Sequence, residues 1–340
     1  METAFHGAFL CEASMTILRF QGQDFVYEAP RTVLESLAEH GVEIPSGCRA
    51  GVCQSCLMRC LEGEVPAGAQ EGLKPALVAQ GYFLACRARP SSDLTVALAD
   101  AEGLRQRAHV LAVESLNQEI VALRLKPERP LDYRAGQYLR LYRQADLSRC
   151  YSLASVPTLD DWLELHIRRI PEGRVSAWVH DQLRVGAQVE IGDSLGQCFY
   201  TPGQEEQTLL LLGTGSGLAP LYGIVRDALA QGHRGPIWLY HGSFTVEGLY
   251  HQTALQRLAG QFPNFHYVPC VDRAGPEALA LNARVGTVLE AAVSDHRVFA
   301  HHRVFLCGHP DMVKDARLKI FLGGASMAEI HADPFLPSGT

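Results

Sequence analysis

The chain has 340 residues, with 30 Lys and Arg against 37 Asp and Glu, so its formal net charge is −7. A content of 47% hydrophobic and 20% charged residues excludes a disordered chain and supplies apolar material for more than one buried core. The acidic balance, without any run of five or more Lys or Arg, argues against a nucleic-acid partner.

Cysteine content and the first residues bear on the compartment. Ten cysteines in 340 residues are far fewer than a disulfide scaffold needs, and residues 1–5 lack the basic start of a signal peptide. We therefore expect a reducing cytoplasm. The one long uncharged stretch, residues 208–225, is interrupted by Gly213, Gly215, Gly217 and Pro220, which favours a strand, a turn and a helix over a membrane span.

The first motif in chain order is a cysteine cluster that follows a short predicted helix over residues 32–41. Cys48, Cys53 and Cys56 have the spacing C-x4-C-x2-C, and Cys86 follows as a fourth thiol. This is the plant-type [2Fe-2S] spacing, in which four thiolates hold two irons. Small residues between the ligands let backbone N–H groups approach the sulfurs, so the loop suits a cluster.

Two other interpretations of the cysteines stay open at this point. They are unligated structural cysteines, and a structural zinc site, although zinc usually takes paired C-x2-C elements. Cys60 is one thiol more than a cluster needs, and we interpret it as a buried strand residue.

The middle of the chain has the pattern of an antiparallel barrel. Apolar or alternating runs occur at residues 109–113, 120–125 and 136–141, and short strands at this spacing are typical of small barrels.

The last part of the chain has the pattern of an α/β domain. The apolar run Leu209–Leu212 enters a glycine-rich segment and then a helical pattern, which predicts a buried parallel strand, a turn and a helix. The ordinary G-x-G-x-x-G fingerprint fails because its sixth position is Leu218. Predicted strands at 237–242, 266–270 and 303–306 continue the alternating layout.

These motifs together resemble a known family. Residues 14–100 resemble a plant-type ferredoxin, and the remainder is similar to the ferredoxin-NADP reductase superfamily. The whole pattern is similar to the reductase components of bacterial ring-hydroxylating dioxygenases and multicomponent monooxygenases. The resemblance implies three domains: a β-grasp [2Fe-2S] ferredoxin domain (α+β) over 14–100, an antiparallel β-barrel FAD domain over 103–203, and an α/β parallel-sheet NAD domain over 204–340.

The resemblance also implies flavin-binding residues. Arg149, Tyr151 and Ser152 match the family's R-x-Y-S motif, where an Arg neutralises a diphosphate oxygen, a Tyr covers a flavin face and a Ser hydroxyl reaches flavin N5. A second segment resembles the strand, turn and helix start that hold the FAD diphosphate. Its candidate residues are His166, Ile167, Gly173, Val175 and Ser176. Ser176 as a plain helix N-cap is the alternative.

The nicotinamide-binding residues implied by the resemblance lie in three segments. Gly213 to Pro220 is similar to the family's G-T-G-x-G-x-A-P, and Cys307 with Gly308 matches its C-G-x-P, where the cysteine lies beside the nicotinamide. Phe335 resembles a C-terminal aromatic near the flavin. The glycine-rich candidates are Gly213, Thr214, Gly215, Gly217 and Pro220. The alternatives are a glycine turn without ligand and a buried cysteine without chemical role. Tyr151, Ser152 and Cys307 are the expected catalytic residues.

The segment after the second strand of the NAD domain bears on cofactor choice. A 2′-phosphate requires Arg or Lys there, whereas residues 242–250 contain neither, and Phe244 stands where many relatives have Arg. We therefore expect NADH rather than NADPH.

The expected activity is that of an NAD(P)H-dependent ferredoxin or oxygenase reductase. The resemblance implies hydride transfer from NADH to FAD and one-electron transfer through the [2Fe-2S] cluster to an oxygenase component or an intermediary ferredoxin, as in aromatic hydrocarbon catabolism. The alternatives are the same electron path serving a deoxysugar dehydratase or a desaturase, and a flavin reductase with a zinc-binding interaction module. We expect a monomer.

Overall fold

A computed structural model of the chain describes residues 16–335 except 45, 47–48, 52–53, 55, 74, 99–104, 145–146, 274, 276–277 and 279–281. The chain divides into two compact units, Met1–Ala101 and Glu102–Thr340. Among the described residues, no helix is long and apolar enough to cross a membrane.

The first unit is a five-stranded sheet with two short helices. Its elements are β1 (Thr16–Phe20), β2 (Gln23–Tyr27), α1 (Val33–Glu39), β3 (Leu57–Glu62), α2 (Pro75–Ala79), β4 (Tyr82–Leu84) and β5 (Leu94–Leu98). The strand order is β2-β1-β5-β3-β4, with β1 and β5 parallel and the other pairs antiparallel. This mixed sheet with a helix is the predicted α+β ferredoxin fold.

Helix α1 begins at a capping box. The Thr32 hydroxyl accepts from the Glu35 N–H, and the Glu35 carboxylate accepts from the Thr32 N–H, so two free donors at the helix start are satisfied. The buried side of α1 carries Val33, Leu34 and Leu37, which pack into the core. This helix leads into the cysteine loop, as the sequence predicted.

The first half of the second unit is an antiparallel barrel. Its elements are β6 (Gln106–Ser115), β7 (Ile120–Pro127), β8 (Tyr138–Gln144), β9 (Leu147–Ser152), β10 (Leu163–Arg168), α3 (Arg174–Asp181) and β11 (Gln188–Ile191). The strand order is β10-β7-β6-β11-β8-β9. A bridge between Leu153 and Leu165 joins the end of β9 to β10, so the two outer strands meet and the sheet closes.

The second half of this unit is a six-stranded parallel sheet. Its elements are β12 (Leu209–Thr214), α4 (Leu218–Ala230), β13 (Ile237–Ser243), α5 (Gln252–Gln261), β14 (Phe265–Val271), β15 (Arg284–Val285), α6 (Val288–Asp295), β16 (Arg303–Gly308), α7 (Pro310–Leu322) and β17 (Ile330–Pro334). The order is β15-β14-β13-β12-β16-β17, and every pair is parallel.

The leucine run of β12 shows why this sheet is buried on both faces. Leu209 and Leu211 pack in the core that includes α4, whereas Leu210 and Leu212 pack in the core that includes α6 and α7. Side chains alternate between the faces of a strand, so a continuous apolar run requires cover on both sides. The predicted fold class of all three modules is confirmed.

Candidate functional site

Two of the four predicted cluster ligands lie close together in the first unit. The Ala85 N–H donates to the Cys56 carbonyl at 3.0 Å, which brings Cys56 beside Cys86. Both thiol-bearing residues are buried, with exposed fractions of 2% and 8%. Cys48 and Cys53 lie outside the described residues.

The described part of the cysteine loop has the tight backbone that a cluster requires. Arg49, Gly51 and Gln54 have φ values of 50°, 82° and 57°, in the left-handed region. A Cβ at Gly51 would come within 2.9 Å of Arg87 Cδ, so the loop packs directly against the residue after Cys86. Two buried cysteines under a close-wrapped loop fit a thiolate-held [2Fe-2S] cluster.

Cys60 occupies a different position from the cluster candidates. It lies on β3 as predicted, but it is half-buried, and its thiol contacts the carbonyls of Glu62 and Gly63 at 3.5 Å each. The Cys60 thiol therefore points to the far end of β3, away from Cys56 at its start.

The R-x-Y-S residues lie in the last four positions of β9, the strand that closes the barrel. Arg149 is exposed, with Nη1 donating to the Ser148 carbonyl at 2.7 Å, while Tyr151 is half-buried and Ser152 is buried. Arg149 and Tyr151 are two residues apart and share one face of the strand. An exposed guanidinium beside a half-buried ring on one face fits a flavin diphosphate and ring system.

Ser152 connects the barrel to the far edge of the parallel sheet. Its Oγ donates to Asp333 Oδ2 at 3.2 Å. Asp333 lies on β17, directly opposite Cys307 of β16. Although Asp333 as a residue is partly exposed, burial of its carboxyl group raises the pKa of that carboxyl to about 6. Ser152, Cys307 and Asp333 therefore converge at one place.

Cys307 is fully buried and faces a second thiol. Its Sγ lies 3.6 Å from Cys198 Sγ, and burial raises the pKa of the Cys307 thiol well above its usual value. Cys307 is therefore a neutral thiol at neutral pH. The adjacent Phe335 N–H donates to the Gly308 carbonyl at 2.8 Å, which places the predicted C-terminal aromatic beside the C-G-x-P segment.

The predicted diphosphate segment forms a strand end, a turn and the start of α3. The N-cap of this helix is Gly173, and no side-chain hydrogen bond caps it among the described residues. The Ser176 hydroxyl accepts from the Ile170 N–H at 3.1 Å and donates to the Gly173 carbonyl at 3.2 Å, so Ser176 is not the N-cap. First-turn N–H groups that no side chain caps fit an anionic diphosphate.

The apolar members of this segment and His166 face inward. Ile167 and Val175 are buried with exposed fractions of 0% and 2%. The His166 imidazole is also buried and contacts Glu164, Tyr250 and His251. We expect these three residues to reach a flavin only through their peptide groups.

The glycine-rich turn combines close packing with one open position. A Cβ at Gly213 would meet Leu221 Cδ1 at 2.7 Å, and a Cβ at Gly217 would meet the Cys307 carbonyl at 2.2 Å. Gly215 has φ +55°, and the nearest atom to a Cβ there is Arg168 Nη1 at 3.9 Å. Gly215 is thus the point at which a ligand can approach the backbone, and the Arg168 guanidinium lies beside it.

Neighbouring residues hold this turn in place. Thr214 ends β12, and its Oγ1 accepts from the His309 N–H at 3.2 Å. A Cβ at Gly308 would meet Thr214 Oγ1 at 2.6 Å, so β12 and β16 end in close contact. Pro220 lies in the first turn of α4, where its missing N–H costs no helical hydrogen bond. This backbone cradle at the carboxyl ends of parallel strands fits a dinucleotide pyrophosphate.

Three residues that the structure places at these sites were not predicted from the sequence. They are Arg168, Cys198 and Asp333. Arg168 follows Ile167 directly and could have been found as a cation at the end of the same strand. Asp333 and Cys198 carry no local signal, because only the packing of distant strands brings them to Ser152 and Cys307.

Comparison with known proteins identifies three domains in this chain. Three family models match in chain order: a 2Fe-2S iron-sulfur cluster binding domain over residues 18–91, an oxidoreductase FAD-binding domain over 108–200 and an oxidoreductase NAD-binding domain over 211–318. The reductase component of the naphthalene 1,2-dioxygenase/salicylate 5-hydroxylase systems of Ralstonia sp. is 33% identical over 92% of this chain and 95% of the relative. The chain belongs to the family of three-domain ferredoxin–NAD(P)+ reductase components.

Other relatives support the same family. The aromatic O-demethylase reductase subunit of Amycolatopsis sp. is 35% identical over 92% of this chain and 96% of its own length. The crystal structure of an Amycolatopsis cytochrome P450 reductase matches with a TM-score of 0.69 and 31% identity, over 95% of this chain and 100% of that one. This reductase is therefore an oxidoreductase whose cofactors are a [2Fe-2S] cluster, FAD and NAD, and the predicted cofactors are confirmed.

Proposed function

We propose that this reductase takes electrons from NADH and passes them singly to an oxygenase component or to an intermediary ferredoxin. The observation that carries the proposal is the convergence of Ser152, Cys307 and Asp333 where the barrel meets the carboxyl ends of the parallel strands. Ligands of open α/β sheets bind at those strand ends. When bound, FAD accepts a hydride and releases its electrons one at a time, and the cluster carries single electrons.

The chain's residues have distinct tasks at the proposed flavin site. Arg149 supplies a positive charge for the diphosphate, and Tyr151 covers one face of the ring system. Ser152 offers a hydroxyl whose orientation is fixed by its hydrogen bond to Asp333. Burial raises the pKa of the Asp333 carboxyl to about 6, so this group can exchange a proton near neutral pH within hydrogen-bond distance of the Ser152 hydroxyl.

The nucleotide site is proposed at the turn from Gly213 to Pro220. Gly215 lets the backbone approach the pyrophosphate, and Arg168 provides a guanidinium beside it, held by a hydrogen bond from its Nε to Glu119 at 2.9 Å. Cys307, as a buried neutral thiol, borders the nicotinamide end without adding charge. Gly213, Gly217 and Gly308 shape this site by close packing. Thr214 binds the His309 N–H, and Pro220 lies in the first turn of α4.

The preference for NADH rests on the residues that follow β13. Residues 242–250 contain no Lys or Arg, and Phe244 is 72% exposed at the start of this segment. A 2′-phosphate would find no cation there, whereas a ribose diol requires none.

The cluster ligands are proposed as Cys48, Cys53, Cys56 and Cys86, and the domain boundaries as 14–100, 103–203 and 204–340. The partner is proposed from the relatives: the names of several of them state that they are reductase components of naphthalene dioxygenase and phenol monooxygenase systems. An aromatic hydroxylation system is therefore the first partner to test.

An anaerobic titration tests the electron path. The purified reductase is mixed with stoichiometric NADH, and the visible spectrum is read together with iron, sulfide and flavin content. Bleaching of both the flavin and the cluster bands supports the path. Bleaching of the flavin bands alone, with zinc found in place of iron, would contradict the path. It would indicate a flavin reductase with a metal-binding interaction domain.

A further inference from the structure

Three possible metal ligands meet where the barrel packs against the NAD domain. Glu164 and His166 are two residues apart on β10, so their side chains share one face of the strand. His251 comes from the NAD domain, directly before α5. The three ligand atoms lie within 4.8 Å of one another.

Two of the three distances between the ligand atoms match those between ligands of one metal ion. His166 Nε2 lies 3.1 Å from Glu164 Oε1 and 3.4 Å from His251 Nε2. Ligands bound tetrahedrally at 2.0–2.1 Å from a zinc ion are separated by roughly 3.3 Å. A single proton on His166 Nε2 would have to be shared between Glu164 Oε1 and His251 Nε2. One metal cation could instead accept a lone pair from each of the three ligand atoms.

The groups behind the three ligands hold them in orientation. His166 Nδ1 contacts the Tyr250 hydroxyl at 3.1 Å, which leaves His166 Nε2 directed at the other two ligands. Glu164 Oε2 accepts from Arg124 Nε at 2.7 Å, which leaves Glu164 Oε1 free of that pair and directed at His166. The His251 ring stacks on Tyr222 with centroids 4.8 Å apart. Such outer partners are a regular feature of metal-ligating histidines and carboxylates.

The backbone at His251 has an uncommon, left-handed conformation. Its φ of 55° lies in the left-handed region, which a histidine occupies at a cost, and it sits at the N-cap position of α5 without giving a side-chain cap. The conformation turns the imidazole back toward β10 instead. The positive charge of the nearby Arg226 is balanced by a bidentate salt bridge to Asp160, with hydrogen bonds of 2.8 and 2.9 Å.

We propose that Glu164, His166 and His251 form a divalent-cation site, of the class occupied by zinc, that links the barrel to the NAD domain. Two imidazoles and one carboxylate are a regular zinc ligand set, and the fourth position is left to water. The site goes beyond the proposed electron path, because none of its residues is required to carry electrons.

The first test compares the zinc affinity of the iron-loaded, full-length protein with that of two variants, by competition with a fluorescent zinc indicator. His251→Asn removes the ligand and keeps a residue that tolerates a left-handed backbone. His109→Asn is the matched control, because His109 is an exposed histidine on β6. We expect H251N to bind one zinc fewer per chain or to bind it at least about 100-fold more weakly, and H109N to match the natural protein.

A second measurement decides the question even if H251N fails to fold. X-ray absorption at the zinc edge of the zinc-loaded natural protein should show nitrogen and oxygen ligands at 2.0–2.1 Å and no sulfur. Zinc that is bound equally by H251N, or surrounded by sulfur from the cysteine loop, would overturn the proposal and leave the three side chains as a hydrogen-bonded cluster. Because the readouts are metal affinity and ligand type, they stand apart from the NADH titration.

Discussion

The Ser152 hydroxyl lies 3.2 Å from the Asp333 carboxylate although 181 residues separate them in the chain. One residue ends a barrel strand, and the other lies on the last strand of the parallel sheet. Their hydrogen bond joins the proposed flavin site to the proposed nicotinamide site, so a change in either residue tests both.

The pKa of Asp333 predicts a pH-dependent effect on stability. Because burial raises its pKa from 3.8 to about 6, the folded protein favours the protonated carboxyl, and ionisation costs stability as the pH rises from about 4 through 6. The cost is complete above that range and amounts to at most about 3 kcal/mol. We expect Asp333→Asn, which keeps an acceptor for Ser152, to raise the melting temperature at pH 7–8, and the gain to shrink toward pH 5. Asp161→Asn, at an exposed loop position, should show no such trend.

The cysteine assignments predict which thiol is dispensable. Replacing Cys56 or Cys86 by Ser removes a proposed ligand, so we expect most of the iron and acid-labile sulfide to be lost while flavin content stays unchanged. Cys60→Ser is the matched control and should retain two irons and two sulfides per chain. Loss of iron in the Cys60 variant alone would mean that the fourth ligand has been assigned wrongly.

Phe244 predicts a switch in nucleotide preference. An arginine at this exposed position would offer a guanidinium to a 2′-phosphate, and a charge-assisted hydrogen bond is worth about 1.5–3 kcal/mol. We expect Phe244→Arg to raise kcat/KM for NADPH by roughly tenfold to a hundredfold, with little change for NADH. Phe244→Leu controls for loss of the ring. An unchanged ratio in steady-state assays with ferricyanide would argue against this segment as the ribose site.

Two glycines predict opposite effects of the same substitution. A Cβ at Gly217 would come within 2.2 Å of the Cys307 carbonyl, whereas a Cβ at Gly260 in α5 meets no described atom within 4 Å. Gly217→Ala should destabilise the protein by about 1–3 kcal/mol or more and weaken NADH binding, since the turn must move. Gly260→Ala should stabilise it by up to about 1 kcal/mol, because alanine is the better helix former. Thermal melting and NADH titration of both variants check the pair.

Much of the architecture was predictable because its signals are local. The capping box at Thr32, the spacing of Cys48, Cys53 and Cys56, and the apolar run of β12 before Gly213 each depend on residues a few positions apart. Hydrophobic periodicity and turn chemistry act over such distances, so strands, helices and their order could be read directly. At the start of α3 the structure excludes the alternative of Ser176 as a plain N-cap, because Gly173 takes that position and the serine hydroxyl accepts from the Ile170 N–H.

The sequence by itself determined that this protein has an iron-sulfur module, a barrel and a parallel-sheet domain in that order, since each is marked by motifs with short internal spacing. Only the tertiary structure decided that Asp333 meets Ser152, that Arg168 lies beside Gly215, and that Glu164 and His166 face His251. Those contacts depend on how the barrel packs against the strand order of the sheet. Side chains more than 80 positions apart meet because of that packing, and no local pattern encodes it.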